Sequence, residues 1–240
     1  MMKIIKHIPN TITSMNLLCG IMGVIFTFKG ELDTAFYLML AGAACDFCDG
    51  LAARALKAYS ELGKQLDSLA DMVSFGVLPS LMMYSLMTLT GGDRFWCYIP
   101  LLIAVFSALR LAKFNIDERQ SENFIGLATP ACAIICGSFA CYVINEPTSE
   151  LFKLAASTWF IPVVSLILCG LLVSEIPMFS MKFKKSSAGT AVHKQRIAFL
   201  LIALASCVIV PIIGLNWAMI PLLIFVVYIL LNVGIAVINR

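Results

Sequence analysis

Long apolar runs, broken by short polar or charged stretches, follow one another along almost the whole chain. Eight of them approach the ~20 residues that a helix needs to cross a bilayer. They cover residues 11–28, 34–55, 65–90, 96–113, 128–145, 158–176, 197–213 and 218–239. The second and third are the least hydrophobic, because they carry a set of aspartates. The pattern predicts an all-α, polytopic membrane bundle of about eight transmembrane helices, forming a single domain over 1–240.

Composition agrees with this. The chain is 60% hydrophobic and 13% charged, with a mean hydropathy of +0.94, too little polar surface for a soluble domain of 240 residues. A net charge of +3, scattered along the chain, gives no argument for nucleic acid. The 17 Lys and Arg residues are distributed unevenly. Lys3, Lys6, Arg54, Lys57, Lys64, Arg110, Lys113, Arg119, Lys182, Lys184, Lys185, Lys194, Arg196 and Arg240 fall on one set of loops and ends, and Lys29, Arg94 and Lys153 on the other. The positive-inside rule then puts both termini in the cytoplasm, with the loop between Arg54 and Lys64. The expected location is the cytoplasmic (inner) membrane. Lys3 and Lys6 before an apolar run resemble a signal-peptide start, but no small-residue cleavage pattern follows, so the first run reads as a retained span. Cys45-x2-Cys48 lacks a second Cys or His pair, and the nine cysteines read as small buried apolar residues.

The aspartates form the pattern Asp46-x2-Asp49-Gly50-x2-Ala53-Arg54, then eight residues, then Gly63-x3-Asp67-x3-Asp71. An ionised Asp at membrane depth costs at least ~2.5 kcal/mol, so four of them need a compensating positive charge. Spacings of three and four place Asp46, Asp49 and Ala53 on one face of the second span, and Asp67 and Asp71 on one face of the third. The short connection makes these spans antiparallel neighbours whose Asp pairs can face each other. Carboxylates without His or Cys favour hard cations such as Mg²⁺, Mn²⁺ or Ca²⁺. Four carboxylates exceed what one Mg²⁺ usually takes from protein, and two ions that clamp a phosphoryl transfer fit the number better. Gly50, Ala53 and Gly63 leave room for a ligand or a backbone, and Arg54 reads as a phosphate contact or as a positive-inside anchor. Structural ion pairs, or a cation pathway in a transporter, remain the alternative at this point.

The complete string resembles the signature of the CDP-alcohol phosphatidyltransferase family, without a gap or substitution. The resemblance implies that Asp46, Asp49 and Asp67 are metal ligands, and that Asp71 is both a ligand and the base that deprotonates the acceptor alcohol. It implies two divalent cations, Mg²⁺ or Mn²⁺, and a CDP site bordered by Asp49, Gly50, Ala53, Arg54, Gly63 and Asp67. Asn10 and Thr13, in the run Pro9-Asn10-x2-Thr13, would lie close to the nucleotide. Ser74-Phe75-Gly76-Val77 after the last Asp is similar to the phosphatidylserine synthase branch. So are the stretches Ala108–Asn115, Phe124–Pro130 and Val173–Pro177, with Ala128 a departure where that branch has Pro. CDP-diacylglycerol and L-serine are then the expected substrates, CMP the second product, and a homodimer among membrane lipids the expected assembly.

Serine is a zwitterion whose carboxylate calls for Arg or Lys. Arg110 and Lys113 lie three apart at the cytoplasmic end of the fourth span, and Asn115 adds an amide; the plain alternative is a set of positive-inside anchors. His7 and His193 read as solvated or facing headgroups, and Lys182–Lys185 as an orientation signal that touches anionic lipid. Ser74 reads equally as a pocket residue or a packing serine. Trp96, Tyr98, Trp159 and Trp217 suit interfacial belts. Two rival functions remain. Glycerol 3-phosphate as acceptor would call for a more basic pocket, and a divalent-cation transporter would call for a counterpart of the Asp spans in the C-terminal half, which is missing.

Overall fold

The computed structural model describes residues 7–91, 95–117, 124–178 and 191–238. The basic run Lys182–Lys185 lies outside them, with Lys3, Lys6, Arg94, Arg119, Ser186–Thr190 and Arg240. The apolar runs form helices α1 (Ile8–Phe28), α2 (Leu32–Ala55), α3 (Glu61–Asp71) continuing into α4 (Leu78–Leu89), α5 (Leu102–Ile116), α6 (Thr129–Asn145), α8 (Phe160–Val173), α9 (Ala191–Ile213) and α10 (Met219–Ile238). Five stretches are long and apolar enough to cross a membrane: Ile8–Phe28, Leu32–Ala55, Glu61–Leu89, Trp96–Ile116 and Met219–Ala236. Three shorter apolar helices, Thr129–Asn145, Phe160–Val173 and Ile197–Ile213, complete the eight expected segments. Large side chains such as Met15, Leu18, Leu201 and Leu204 are exposed on the outer faces, as expected for surfaces that meet lipid rather than water. The protein is an integral membrane protein.

The structure differs from the sequence reading in several places, each with a local cause. The third span starts at Glu61 rather than residue 65, because Ser60 caps it and accepts a hydrogen bond from the Gly63 N–H at 3.0 Å. A short helix, α7 (Glu150–Ala155), forms within a connection expected to be loop. Ser149 caps it by accepting from the Phe152 N–H, and Lys153 pairs with Glu150 at 2.6 Å. Trp217 is more than an interfacial anchor, since its ring stacks on Phe36 at 5.6 Å and Tyr37 at 5.3 Å.

Helix α6 is the hub, buried along nearly its whole length and packed against α2, α4 and α10. Close approach depends on missing side chains. A Cβ on Gly137 of α6 would run into the Phe36 ring of α2, and one on Gly23 of α1 would meet Leu78 of α4 at 2.6 Å. Between α3 and α4 the chain takes a π-helical turn, Met72–Val77, an arrangement often found next to functional residues. Ser74 and Gly76 in that turn press against α1 and α5. A Cβ on Gly20 would collide with the Ser74 hydroxyl, and one on Gly76 would meet Ser107 Cβ at 3.2 Å. Ser74 donates to the Asn16 carbonyl oxygen at 3.0 Å, so it serves packing rather than the pocket.

Two short strands, β1 (Phe124–Ile125) and β2 (Pro177–Met178), pair antiparallel where α5 leads to α6 and α8 leads to α9. Gly126 follows β1 with φ +75°; its N–H donates to Ile176 O, and a Cβ there would lie 2.8 Å from the Leu172 and Ser174 carbonyl oxygens. Both the dihedral and the space require glycine. Gly126→Ala is therefore expected to destabilise the protein by about 1–3 kcal/mol, read as a lower melting temperature of the detergent-solubilised protein. An unchanged melting temperature would show that the loop relaxes freely.

Candidate active site

The site begins with the sharp reversal from α2 to α3. Helix α2 ends in a Schellman turn: the Ala58 N–H donates to Ala53 O, the Lys57 N–H donates to Arg54 O, and Lys57 takes the left-handed conformation at φ +49°. The C-terminal end of α2 thus lies beside the N-terminal end of α3, and their carboxylates converge. Asp46, Asp49 and Asp67 each present an oxygen to a group whose members all lie within 4.8 Å of one another. Repulsion among three carboxylates in partly buried surroundings opposes the arrangement unless a cation joins it. Asp67 Oδ1 is buried with no hydrogen-bond partner among the described residues. Converging hard oxygens and an orphaned carboxylate oxygen fit a divalent metal.

Asp71 stands apart from that set of three while still feeling the charge of all its members. It is one turn further along α3, and Asn16 of α1 donates to its Oδ1 at 3.2 Å. Thr13, one turn before Asn16, donates to Asp49 Oδ2 at 2.6 Å. Both belong to the buried stripe Pro9, Thr13, Asn16, Gly20, Gly23 and Thr27 that α1 turns to the bundle. Asn16 was not among the residues singled out in the sequence, although its place on the Thr13 face was the available signal.

A cavity of about 580 Å³ opens between α1, α2 and α3. It is lined by Asn10, Thr13, Asp49, Gly50, Ala53, Gly63 and Asp67 from the expected set, joined by Pro9 and by Ala58–Glu61 and Lys64. Arg54 is exposed at the rim and does not line it. A Cβ on Gly63 would meet Asn10 Oδ1 at 2.9 Å, so that glycine brings Asn10 to the cavity edge.

The residues expected to meet the acceptor are placed differently from one another. Arg110 is buried in α5, stacks its guanidinium over the Phe114 ring at 5.1 Å and lies within electrostatic reach of Asp71. Lys113 instead pairs with Glu175 at 3.4 Å, and the Asn115 amide donates to Ser68 Oγ at 2.8 Å. The stretches 108–115, 124–130 and 173–177 come together here, through the Lys113–Glu175 pair and the β1–β2 pairing.

Known proteins are similar to this chain in sequence. The family model described as CDP-alcohol phosphatidyltransferase matches residues 6–170. A CDP-diacylglycerol–serine O-phosphatidyltransferase of Bacillus subtilis (strain 168) is 34% identical over 190 residues, which is 76% of this chain and 94% of its own. One from Helicobacter pylori (strain J99) is 36% identical over 129 residues, 53% of this chain and 54% of its own. An archaetidylserine synthase of Methanothermobacter thermautotrophicus is 32% identical over 136 residues, 55% of this chain and 57% of its own.

Proposed function

Because the chain belongs to the CDP-alcohol phosphatidyltransferase family, we propose that it moves a phosphatidyl group from CDP-diacylglycerol to the hydroxyl of L-serine, yielding phosphatidylserine and CMP. The observation that carries this is a cavity lined by Asp49 and Asp67 where the oxygens of Asp46, Asp49 and Asp67 converge within 4.8 Å of one another. The cavity volume lies within the range of sites that hold small ligands. Asn10 and Thr13 edge the CDP moiety, Gly50, Ala53 and Gly63 leave room for it, and Arg54 reaches its phosphates from the rim.

Asp46, Asp49, Asp67 and Asp71 are the carboxylates for two divalent cations, Mg²⁺ or Mn²⁺. When bound, such ions neutralise the pyrophosphate and the charge that builds on the departing CMP. Asn16 holds one oxygen of Asp71, leaving the other to take the proton of the serine hydroxyl. The seryl oxygen bonds to the phosphorus that carries diacylglycerol, the phosphoanhydride P–O bond breaks, and its electron pair leaves on CMP. Arg110 pairs with the serine carboxylate, while Lys113 and Asn115, held by Glu175 and Ser68, border the acceptor side.

We take 1–240 as one catalytic unit that functions as a homodimer. The site faces the cytoplasm from the inner membrane, since Arg54, Lys57, Lys64, Arg110 and Lys113 gather at its end of the bundle, while Lys29 and Lys153 mark the other.

Purified protein in detergent, supplied with CDP-diacylglycerol and Mn²⁺ or Mg²⁺, is expected to release CMP with serine and not with glycerol 3-phosphate. Release with glycerol 3-phosphate would change the acceptor and keep the chemistry. No release with any alcohol, from folded protein, would favour cation transport.

A further inference from the structure

The cytoplasmic ends of α3 and α5 are tied together by side chains that take no part in the chemistry itself. Ser68 follows Asp67 directly in α3. Its hydroxyl donates to Lys64 O one turn back at 3.2 Å, and its oxygen accepts from the Asn115 amide at 2.8 Å. Lys64 adds a second tie, donating from Nζ to Asn115 O at 3.5 Å. That carbonyl lies in the last turn of α5, where intrahelical donors run out and partial negative charge collects, so an ammonium suits it. Lys113, two residues earlier, is held by Glu175 at 3.4 Å.

Deeper in the bundle the same two elements touch again. Helix α5 packs against the π-helical turn Met72–Val77, where a Cβ on Gly76 would lie 3.2 Å from Ser107 Cβ. Ser68 and Gly76 are eight residues apart on one element, and Asn115 and Ser107 eight apart on the other, in the opposite direction. The two contacts therefore define one antiparallel register. Arg110 lies between them, on the buried face Ile103, Ser107, Arg110 and Leu111 that α5 turns to the bundle. Arg110 is five residues from Asn115 and Asp71 three from Ser68, so the rise of an α-helix puts them ~7.5 and ~4.5 Å from the clasp. Their backbones thus stand within ~3 Å of the same level.

We propose that Ser68 is a positioning residue for the acceptor: by clasping Asn115 it fixes the register of α5 against α3, and with it the separation between Arg110 and Asp71. Arg110 takes the carboxylate of the acceptor and Asp71 the proton of its hydroxyl, so this separation selects a β-hydroxy amino acid over one with a longer arm. The Asn115 amide is then spent on the protein and does not bind serine. The inference rests on Arg110 as the contact for the serine carboxylate. The Lys113–Glu175 pair remains when Ser68 is changed, so the end of α5 shifts without coming loose.

The test is steady-state CMP release by the full chain with Ser68→Ala, Asn115→Ala and the double variant, each with L-serine and with L-homoserine, which is longer by a methylene. Alanine is the best helix former, so Ser68→Ala leaves α3 intact. It is expected to raise the serine KM about fivefold, the order for losing one neutral hydrogen bond, and to leave the CDP-diacylglycerol KM unchanged. The preference for serine over homoserine falls with it. The double variant is no worse than either single one, because both remove the same bond. A serine KM within about twofold of the parent, or an unchanged preference, in Ser68→Ala would overturn the role of Ser68 and leave the acceptor reading standing. Additive losses in the double variant would show that Asn115 touches serine itself, and would overturn the clasp. Equal losses with both acceptors and with CDP-diacylglycerol, together with a lower melting temperature, would make it merely structural. An unchanged serine KM in Arg110→Lys would overturn the acceptor reading itself, and this inference with it.

Discussion

Asp71→Asn is expected to reduce serine-dependent CMP release by at least about a thousandfold while CDP-diacylglycerol still binds. Losing a positioned general base typically costs 10²–10⁴-fold, and the structure argues for the upper part of that range. Asp71 is set apart from the Asp46–Asp49–Asp67 group, and one of its oxygens is already occupied by the Asn16 amide. The isosteric amide keeps the size of the side chain and removes its ability to take a proton. Binding of CDP-diacylglycerol, followed by the change in melting temperature on adding it, separates the two roles assigned to this residue. Retained binding with lost turnover marks the base. Loss of binding together with turnover would mean that Asp71 acts chiefly as a ligand for the cation.

Removing divalent cations is expected to have a comparable effect. A chelator should bring CMP release to background, and Mn²⁺ or Mg²⁺ should restore it. The reason is electrostatic: three carboxylates with oxygens within 4.8 Å, among them Asp67 with its buried and unpartnered Oδ1, repel each other and an incoming pyrophosphate. The same ions should raise the melting temperature of the substrate-free protein, because a ligand that binds only the folded state stabilises it by mass action. Asp67→Asn should shift both responses to higher cation concentration. Turnover that survives chelation would remove the metal from the proposal and leave Arg54 and Lys64 as the available countercharges.

The large features of this protein were legible in its sequence because they follow from simple physics. Apolar runs of helical length become helices in lipid, and carboxylates three and four apart share a face, so both the bundle and the meeting of Asp46, Asp49 and Asp67 could be read directly. What escaped depends on local geometry. The reversal after α2 was not recognisable from a typical glycine, since Lys57 takes the left-handed position. The polar start of α3 looked like loop, because Glu61–Lys64 lacks the apolar content of a span and helix formation there rests on the Ser60 cap. The π-helical turn has no compositional mark of its own. The position of Arg54 at the rim, and the commitment of Lys113 to Glu175, follow from side-chain directions that spacing alone does not specify. Asn16 was detectable in principle, being a polar residue on the interior face of an apolar helix.

The stack of Trp217 on Phe36 and Tyr37 has a consequence for biogenesis. It joins the hairpin between the last two helices to α2, the helix whose opposite end carries Asp46 and Asp49. A ribosome delivers α2 early and Trp217 late, so this long-range contact closes only after nearly all the spans have entered the bilayer. The aspartates wait in a partly assembled bundle until the final hairpin docks, and a nascent chain would gain its finished bundle only at the end of its own synthesis.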